Sequence, residues 1–149
     1  MKSDLGTIAL VEDNEDDLYF MTRALKEAEV DNPLQVLKTG REAIDYLSGA
    51  GIYGNRALHP MAFLMLMDLK LPDISGFEVL RWIKGHGRLQ PLITIVLTTS
   101  GEAKDIERAY QLGANSFLVK ASGSDGVLEQ VKALKQYWLV HNGFPILGP

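Results

Sequence analysis

Acidic residues follow two short apolar runs in this sequence. Asp68 comes directly after the run Ala62–Met67, and a second acidic group follows the run Ile8–Val11; its members are Glu12, Asp13, Glu15, Asp16 and Asp17. Short apolar runs closed by turn residues are typical of strands buried on both faces. A single Asp in such a place is most often a strand terminator or a helix cap. Two acidic strand ends in one chain instead offer the oxygen ligands that divalent cations and phosphoryl chemistry use.

Strand-like and helix-like patterns alternate along the chain and would position these acids. The predicted strands are roughly Thr7–Val11, Leu34–Lys38, Phe63–Met67, Leu92–Leu97 and Ser116–Val119. Apolar residues at helical spacing predict a helix after each strand. The markers are Leu18, Met21, Leu25 and Ala28; Ala43, Ile44 and Leu47; Phe77, Leu80, Trp82 and Ile83; Ile106, Ala109 and Tyr110; and Val127, Val131, Leu134 and Trp138. This alternation predicts an α/β fold, a doubly wound five-stranded parallel sheet with five flanking helices.

The acidic strand ends converge if the strand order is 2-1-3-4-5, one of the common doubly wound orders. The first and third strands are then neighbours about 4.8 Å apart, and Asp13 and Asp68 emerge side by side at their carboxyl ends. Carboxylates this close repel each other unless a cation joins them. Hard oxygen ligands suit Mg²⁺, and an Asp carboxylate is a competent nucleophile toward phosphorus. The sequence therefore predicts an acidic Mg²⁺ pocket for phosphoryl chemistry.

Two more strand ends complete the predicted pocket. The fourth strand ends in Thr98-Thr99-Ser100, where a hydroxyl can donate to a phosphoryl oxygen, although β-propensity and helix capping account for at least one of the three. The fifth strand ends in Lys120. A Lys after a strand is usually solvated, but here the cation would point into the carboxylates and pair with Asp68.

Composition limits the class of protein. A chain of 149 residues suits one domain, and 46% hydrophobic with 23% charged residues is ordinary for a soluble protein. The net charge of -4 argues against a nucleic-acid binder. There is no cysteine, no apolar stretch of bilayer length, and no signal-peptide core after Met1–Asp4. We therefore expect a cytoplasmic protein with neither a membrane nor a nucleic-acid partner.

Taken together, the strand-end motifs resemble response regulator receiver domains, the CheY-like family of bacterial two-component signalling. The motifs are Val11-Glu12-Asp13-Asn14, Met67-Asp68-Leu69-Lys70-Leu71-Pro72 with Gly76, Leu97-Thr98-Thr99-Ser100, Gly113-Ala114-Asn115 and Phe117-Leu118-Val119-Lys120. Any one of them is a weak signal. Their order at successive strand ends, across nearly the whole chain, is very specific.

The resemblance implies a phosphoacceptor and a metal site. Asp68 would accept a phosphoryl group from the phosphohistidine of a sensor histidine kinase or of a phosphotransfer protein. Asp13 and Asp68 would bind Mg²⁺ directly, together with the backbone carbonyl of Lys70, and Glu12 would act through a metal-bound water. Such a protein assists its own phosphorylation and dephosphorylation without being an enzyme in the usual sense.

The resemblance also implies a switch. Thr98 would receive one phosphoryl oxygen through its hydroxyl, and Lys120 would neutralise another. Phe117 matches the aromatic switch position and would move into space that Thr98 vacates. The surface formed by helix four, strand five and helix five would change as a result, and output would come from protein–protein interaction.

Within the family, the chain looks most like small stand-alone regulators that partner phytochrome-type histidine kinases. The features are Val11-Glu12-Asp13-Asn14, the extended stretch Ser48–Pro60 expected as a surface loop, and the ending Tyr137-Trp138-Leu139 with Phe144-Pro145. We expect residues 1–149 to form a single receiver domain with a short C-terminal tail, about 141–149, and no effector domain. The resemblance implies a homodimer through the helix four–strand five–helix five face and this tail. The apolar tail residues would dock either on their own domain or on a second copy.

One position departs from the family pattern. Proline joined by a cis peptide bond usually follows the strand-five Lys, whereas Ala121 follows Lys120 here. A cis bond before a residue other than proline costs about 2.5–4 kcal/mol. Either the chain keeps that strained bond, or the loop Ala121–Gly123 takes another path.

Three other interpretations remain open. A haloacid-dehalogenase-like phosphohydrolase would need a second Asp where Lys70 stands. A flavodoxin-like FMN carrier would need a hydroxyl- and glycine-rich phosphate loop after the first strand, where this chain has acids. A degenerate receiver acting only as a scaffold is disfavoured by the retained site residues, which are Glu12, Asp13, Asp68, Thr98 and Lys120.

Overall fold

The computed structural model describes residues 5–145 and 147, and it has the predicted α/β architecture. The strands are β1 Thr7–Val11, β2 Leu34–Leu37, β3 Ala62–Met67, β4 Ile93–Thr98 and β5 Ser116–Val119. All pairings are parallel and the order is β2-β1-β3-β4-β5, so the predicted topology is confirmed. The strand ends lie within one residue of the predicted ones.

A helix follows each strand, as predicted. The helices are α1 Glu15–Glu27, α2 Gly40–Ser48, α3 Gly76–Lys84, α4 Ala103–Gln111 and α5 Gly123–Leu134. The chain continues from α5 into a π-helical segment, Lys135–His141, and two 3-10 turns lie at Gly51–Gly54 and Gly87–Leu89. No helix among residues 5–145 is long and apolar enough to cross a membrane.

The sheet is buried on both faces, which explains its unbroken apolar runs. Every residue of β1, β3 and β4 is buried. Because side chains alternate along a strand, Met65 and Met67 pack on the face covered by α2, α3 and α4, whereas Leu64 and Leu66 pack on the face covered by α1 and α5. The sheet therefore opens to solvent only at its edges and at the strand ends.

One local expectation was wrong, and another was incomplete. The helical spacing predicts Tyr110 as a core residue of α4, but Tyr110 is 49% exposed. The stretch Ser48–Pro60 lies mostly at the surface, as predicted, but it also contains the 3-10 turn Gly51–Gly54 and one buried ring. Its Tyr53 is buried and meets the buried ring of Tyr46 edge to face, with ring centroids 5.6 Å apart. Aromatic packing of this kind cannot be read from loop composition alone.

Two residues of the C-terminal tail, Phe144 and Leu147, dock on their own domain. Phe144 stacks on Phe63 at the start of β3, with ring centroids 4.0 Å apart and planes 23° apart. Leu147 packs against the core on the opposite face of the sheet. Of the two docking modes left open by the sequence, the structure shows docking within the domain. The expectations for Ile146, Gly148, Pro149 and the N-terminal Met1–Asp4 fall outside the described residues.

Candidate functional site

The strand register brings the acidic residues to one edge of the sheet. Val11 pairs with Met67 across β1 and β3, so the residues that follow them emerge together. The Asp68 N–H donates to the Val11 carbonyl at 3.1 Å, and the Glu12 N–H donates to the Leu37 carbonyl at 2.9 Å. The hydrogen-bond ladder of the sheet thus continues one residue past the apolar runs and fixes the backbone of Glu12 and Asp68.

Three carboxylates converge at this edge, as the strand order predicts. Glu12, Asp13 and Asp68 each offer one oxygen, and these oxygens all lie within 4.8 Å of one another. Glu12 and Asp68 are buried, at 5% and 7% exposure, whereas Asp13 is exposed. Backbone N–H groups hold two of these carboxylates: Asn14 donates to Glu12 Oε2 and Lys70 donates to Asp68 Oδ1, both at 3.2 Å. A set of hard oxygens facing solvent through Asp13 fits a divalent cation.

Lys120 lies at the centre of the acidic group. Its Nζ is 2.8 Å from Glu12 Oε1, 2.8 Å from Asp68 Oδ2 and 2.7 Å from Asp17 Oδ2, and its side chain is only 11% exposed. One ammonium therefore serves three carboxylates. The pairing with Asp68 matches the expectation from sequence.

Asp17 was missed as a site residue. It lies in the first turn of α1, where the Asn14 side chain caps the helix by accepting the Asp17 N–H at 2.9 Å. The sequence contained one usable signal, since Asp17 belongs to the acidic group that follows the first apolar run. Its contact with Lys120 spans 103 positions in the chain and could not be read from any local pattern.

Burial and pairing shift the pKa values of two of these groups. Burial raises the pKa of Glu12 above its usual range, although hydrogen bonding to Lys120 works in the opposite direction. Burial also opposes the charge on Lys120, but the hydrogen bonds that its ammonium donates to Asp17, Asp68 and Glu12 outweigh this effect and raise the pKa of Lys120. Lys120 is therefore a fixed positive charge at neutral pH.

Thr98 contributes a buried hydroxyl at the end of β4. Its side chain is fully buried, and its Oγ1 has no hydrogen-bond partner among the residues the structure describes. The Thr98 carbonyl accepts the Lys120 N–H at 2.7 Å, so the two residues are tied through the backbone. Ser100, in contrast, donates to Asp105 Oδ2 at 2.6 Å near the start of α4. The Ser100 hydroxyl is therefore hydrogen-bonded, whereas the Thr98 hydroxyl has no partner among the described residues.

The loop after β5 takes a path without a cis bond. The described residues contain no cis peptide, so the Lys120–Ala121 bond is trans. The Ala121 N–H donates to Gln130 Oε1 at 3.1 Å, and Gln130 Nε2 donates to the Val119 carbonyl at 2.7 Å. Phe117 lies half-buried on β5 and packs against the core on the α2–α4 face.

The loop between Asp68 and α3 is tightly held. A Cβ at Gly76 would lie 2.6 Å from the Asp68 carbonyl oxygen, so only glycine allows this close approach. Asp73 accepts the N–H groups of Gly40 at 2.8 Å and of Arg41 at 2.9 Å. The loop that begins at Asp68 is therefore joined to the N-terminus of α2, a connection that sequence patterns did not indicate.

Comparison with known proteins gives a consistent set of relatives. Residues 8–132 match the response regulator receiver domain family. The probable methanogenesis regulatory protein FilR2 of Methanothrix harundinacea is 37% identical over 142 residues, which cover 95% of this chain and 88% of that protein. The response regulator Rcp1 of Synechocystis sp. is 34% identical over 132 residues, covering 89% of this chain and 88% of Rcp1.

Solved structures agree with these matches. The crystal structure of the phosphorylated cyanobacterial phytochrome response regulator RcpA superposes with a TM-score of 0.88 at 33% identity, covering 95% of this chain and 99% of RcpA. The Mn²⁺-bound form of Rcp1 superposes with a TM-score of 0.85 at 33% identity, covering 94% of this chain and 99% of that structure.

Proposed function

The chain belongs to the response regulator receiver domain family, and we propose that its Asp68 is the phosphoacceptor. It is a response regulator of two-component phosphorelay signalling. The observation that supports Asp68 is its environment. It is a buried carboxylate at the tip of β3, paired with a buried ammonium at 2.8 Å and within reach of two further carboxylates.

Asp68 would act as a nucleophile. One of its carboxylate oxygens attacks phosphorus while the bond from phosphorus to the donor's imidazole nitrogen breaks. The bonding electrons leave with the imidazole, and an acyl phosphate forms on Asp68. The sheet ladder and the Lys70 N–H hold this carboxylate in place before the reaction, which lowers the entropic part of the barrier.

Lys120 and Thr98 would bind the oxygens of the phosphoryl group on Asp68. The phosphoryl group brings about -1.5 to -2 charges and three acceptor oxygens. Lys120 Nζ already touches Asp68 Oδ2, so it can pair with a phosphoryl oxygen by a small movement. Thr98 Oγ1 can donate to another without giving up a partner among the described residues. Thr98 moving toward the phosphoryl group would open space for Phe117, which is the proposed switch.

The three clustered carboxylates fit Mg²⁺. Asp13 and Asp68 would hold the ion directly, with the Lys70 backbone carbonyl, and Glu12 would hold it through a water. When bound, Mg²⁺ supplies positive charge that offsets the carboxylates and the phosphoryl oxygens. The Mn²⁺-bound form of Rcp1 supports a divalent cation at the acidic site of this fold.

The partner is a histidine kinase, as for other receiver domains of this kind. We propose a kinase of the phytochrome type, or a phosphotransfer protein that relays from it. The likeness to the phytochrome response regulator RcpA supports this assignment. We also propose that residues 1–149 act as one receiver domain with a short C-terminal tail, about 141–149, and that it works in the cytoplasm.

A homodimer through α4, β5 and α5 is a further part of the proposal. Large apolar side chains are exposed on these elements and on the segment that continues α5; they are Tyr110, Val119, Tyr137 and Val140, at 49%, 45%, 55% and 56% exposure. Light scattering of the protein with and without beryllofluoride checks this part. A monomer under both conditions at high protein concentration would contradict it.

The phosphoacceptor is tested by incubating the protein with acetyl phosphate and Mg²⁺ and measuring its intact mass. We expect the mass of one phosphoryl group to be added, and hydroxylamine to remove it as an acyl phosphate. Asp68→Asn should abolish the addition, whereas the control Asp31→Asn, on an exposed loop at the other end of the sheet, should label like wild type. Labelling of Asp68→Asn at the wild-type rate would refute the assignment.

A further inference from the structure

Gln130 holds the backbone on both sides of Lys120. From α5, its side-chain oxygen accepts the Ala121 N–H at 3.1 Å, and its side-chain nitrogen donates to the Val119 carbonyl at 2.7 Å. A proline at position 121 would have no N–H to donate. The first of these bonds therefore exists because Ala121 stands there.

Packing alone does not hold this loop. A cavity of about 280 Å³ opens between α1 and the β5–α5 loop, and Asp17, Lys120, Ala121 and Gln130 are among the residues that line it. Lys120 carries its charge on a flexible four-carbon stem, and on the cavity side little packing restrains it. Hydrogen bonds then help to place its backbone, from which the ammonium reaches its three carboxylates.

The contact between Ala121 and α5 is close. A Cβ at Gly126 would lie 2.9 Å from the Ala121 Cβ, so glycine inside the helix lets the loop approach α5. Glycine in a helix interior costs about 0.5–1 kcal/mol relative to alanine. Gln130 and Gly126 lie one helical turn apart, and together they bring the loop against α5 and fix it there.

We propose that Gln130 is a positioning residue for phosphoryl transfer: by bonding the peptide groups on either side of Lys120, it sets the place of the ammonium that neutralises the phosphoryl group. Gln130 itself touches no reacting atom. The inference rests on the proposed function of Asp68 and Lys120, and it assigns to the α5 side chain the restraint on the loop after β5.

The variant Gln130→Met removes both hydrogen bonds and keeps the length of the side chain. We expect labelling by acetyl phosphate to slow about tenfold, because a misplaced charge loses much of its effect in the transition state. The affinity for Mg²⁺, measured by calorimetry without a phosphodonor, should change less than the labelling rate, since Glu12 and Asp68 are held by the sheet ladder and not by Gln130. Gln136→Met, at an exposed position on the continuation of α5, is the matched control and should label at the wild-type rate.

A double-mutant cycle separates positioning from a general structural effect. In a Lys120→Met background there is no ammonium to place, so adding Gln130→Met should cause no further slowing. Slowing by the same factor in both backgrounds would show that Gln130 acts independently of Lys120 and would overturn the proposal.

Two outcomes distinguish this inference from the function on which it rests. If wild-type protein is not labelled at Asp68, both fail. If wild type is labelled and folded Gln130→Met is labelled equally fast, only the positioning role fails. Should Gln130→Met not fold, Gln130→Glu replaces it. Glu keeps an acceptor for the Ala121 N–H but cannot donate to the Val119 carbonyl, so it should still slow labelling, and a wild-type rate would overturn the proposal.

Discussion

The two ends of β3 differ in chemistry: charged side chains surround its carboxyl end, and aromatic rings cover its amino end. At its carboxyl end, Asp68 is buried at 7% exposure among like charges and is paired with Lys120. At its amino end, Phe63 is buried at 2% exposure and is covered by the stacked ring of Phe144. The same apolar strand thus carries a charged site at one end and an apolar seal at the other.

The difference separates function from stability. Buried ion pairs add little net stability because desolvation offsets their attraction, and crowded carboxylates also repel each other. The charged end is therefore kept for what it binds, and the repulsion between its carboxylates is relieved when a cation binds there. The aromatic end contributes packing between Phe63 and Phe144.

The largest effect is expected from Lys120→Met. Removing the ammonium leaves Glu12, Asp17 and Asp68 facing one another with no cation, and breaking a buried pair typically costs 3–5 kcal/mol, so we expect a loss of about 3 kcal/mol. Mg²⁺ should restore part of it by binding the same carboxylates. Urea unfolding with and without Mg²⁺ measures both quantities. Lys104→Met, at an exposed side chain, is the control, and an unchanged unfolding midpoint for Lys120→Met would contradict the prediction.

At the aromatic end, Phe144→Ala should lower the free energy of unfolding by about 2 kcal/mol. The ring is half-buried and stacked on Phe63, so the loss is below that of a fully buried Phe. Mg²⁺ should restore none of it, which sets this end apart from the charged one. Tyr137→Ala, which removes a ring that is 55% exposed, should change stability much less. If Phe144→Ala and Tyr137→Ala lowered the free energy of unfolding equally, the packing of Phe144 on Phe63 would not stabilise the protein.

Thr98→Val should stabilise the protein. The Thr98 hydroxyl is buried and has no partner among the described residues, and an unpaired buried polar group costs about 1–3 kcal/mol. Valine has nearly the same shape, so we expect a gain of about 1.5 kcal/mol. The phosphorylated variant should also fail to show the change around Phe117 that wild type shows by NMR. Destabilisation by Thr98→Val would mean that the hydroxyl is already satisfied in the resting protein.

Much of this organisation was predictable from the sequence. Apolar runs and helical spacing gave five strands and five helices because the interior of a parallel sheet and one face of each helix must be apolar. The motifs at the strand ends gave the positions of Asp13, Asp68, Thr98 and Lys120, since parallel strands end at a common edge. The structure adds the register of β1 and β3, in which Val11 lies opposite Met67.

The remaining features depend on contacts between distant parts of the chain. Asp17 meets Lys120 across 103 positions, and Asp73 reaches Gly40 across 33. Neither contact leaves a periodic trace, because each involves a single polar side chain on a turn or on the first turn of a helix. Gln130 is similar. Its spacing on α5 is typical of a solvated helix face, and only the path of the loop at Ala121 gives it partners.

The smallest expected effect is that of Asp73→Ala. Asp73 accepts two backbone N–H groups at the start of α2, where a carboxylate also interacts favourably with the helix dipole. Loss of such a cap costs typically about 1 kcal/mol. The slight burial of Asp73 opposes its charge, but the N–H groups of Ile74, Arg41 and Gly40 outweigh it and lower its pKa. Because the folded pKa lies below the unfolded one, this contribution is fully present above the unfolded pKa of about 4 and is lost as pH falls through the folded value.

The stability difference between wild type and Asp73→Ala should therefore be constant from about pH 7 to pH 5 and shrink below about pH 4. Urea titrations across this range measure it. Asp73→Asn is the matched control. Its side-chain oxygen can still accept one N–H but does not titrate, so its smaller deficit relative to wild type should also disappear at low pH, while its difference from Asp73→Ala stays constant. A difference between wild type and Asp73→Ala that grows as pH falls would show that Asp73 is not held as a carboxylate at α2, and the loop after Asp68 would then need another anchor.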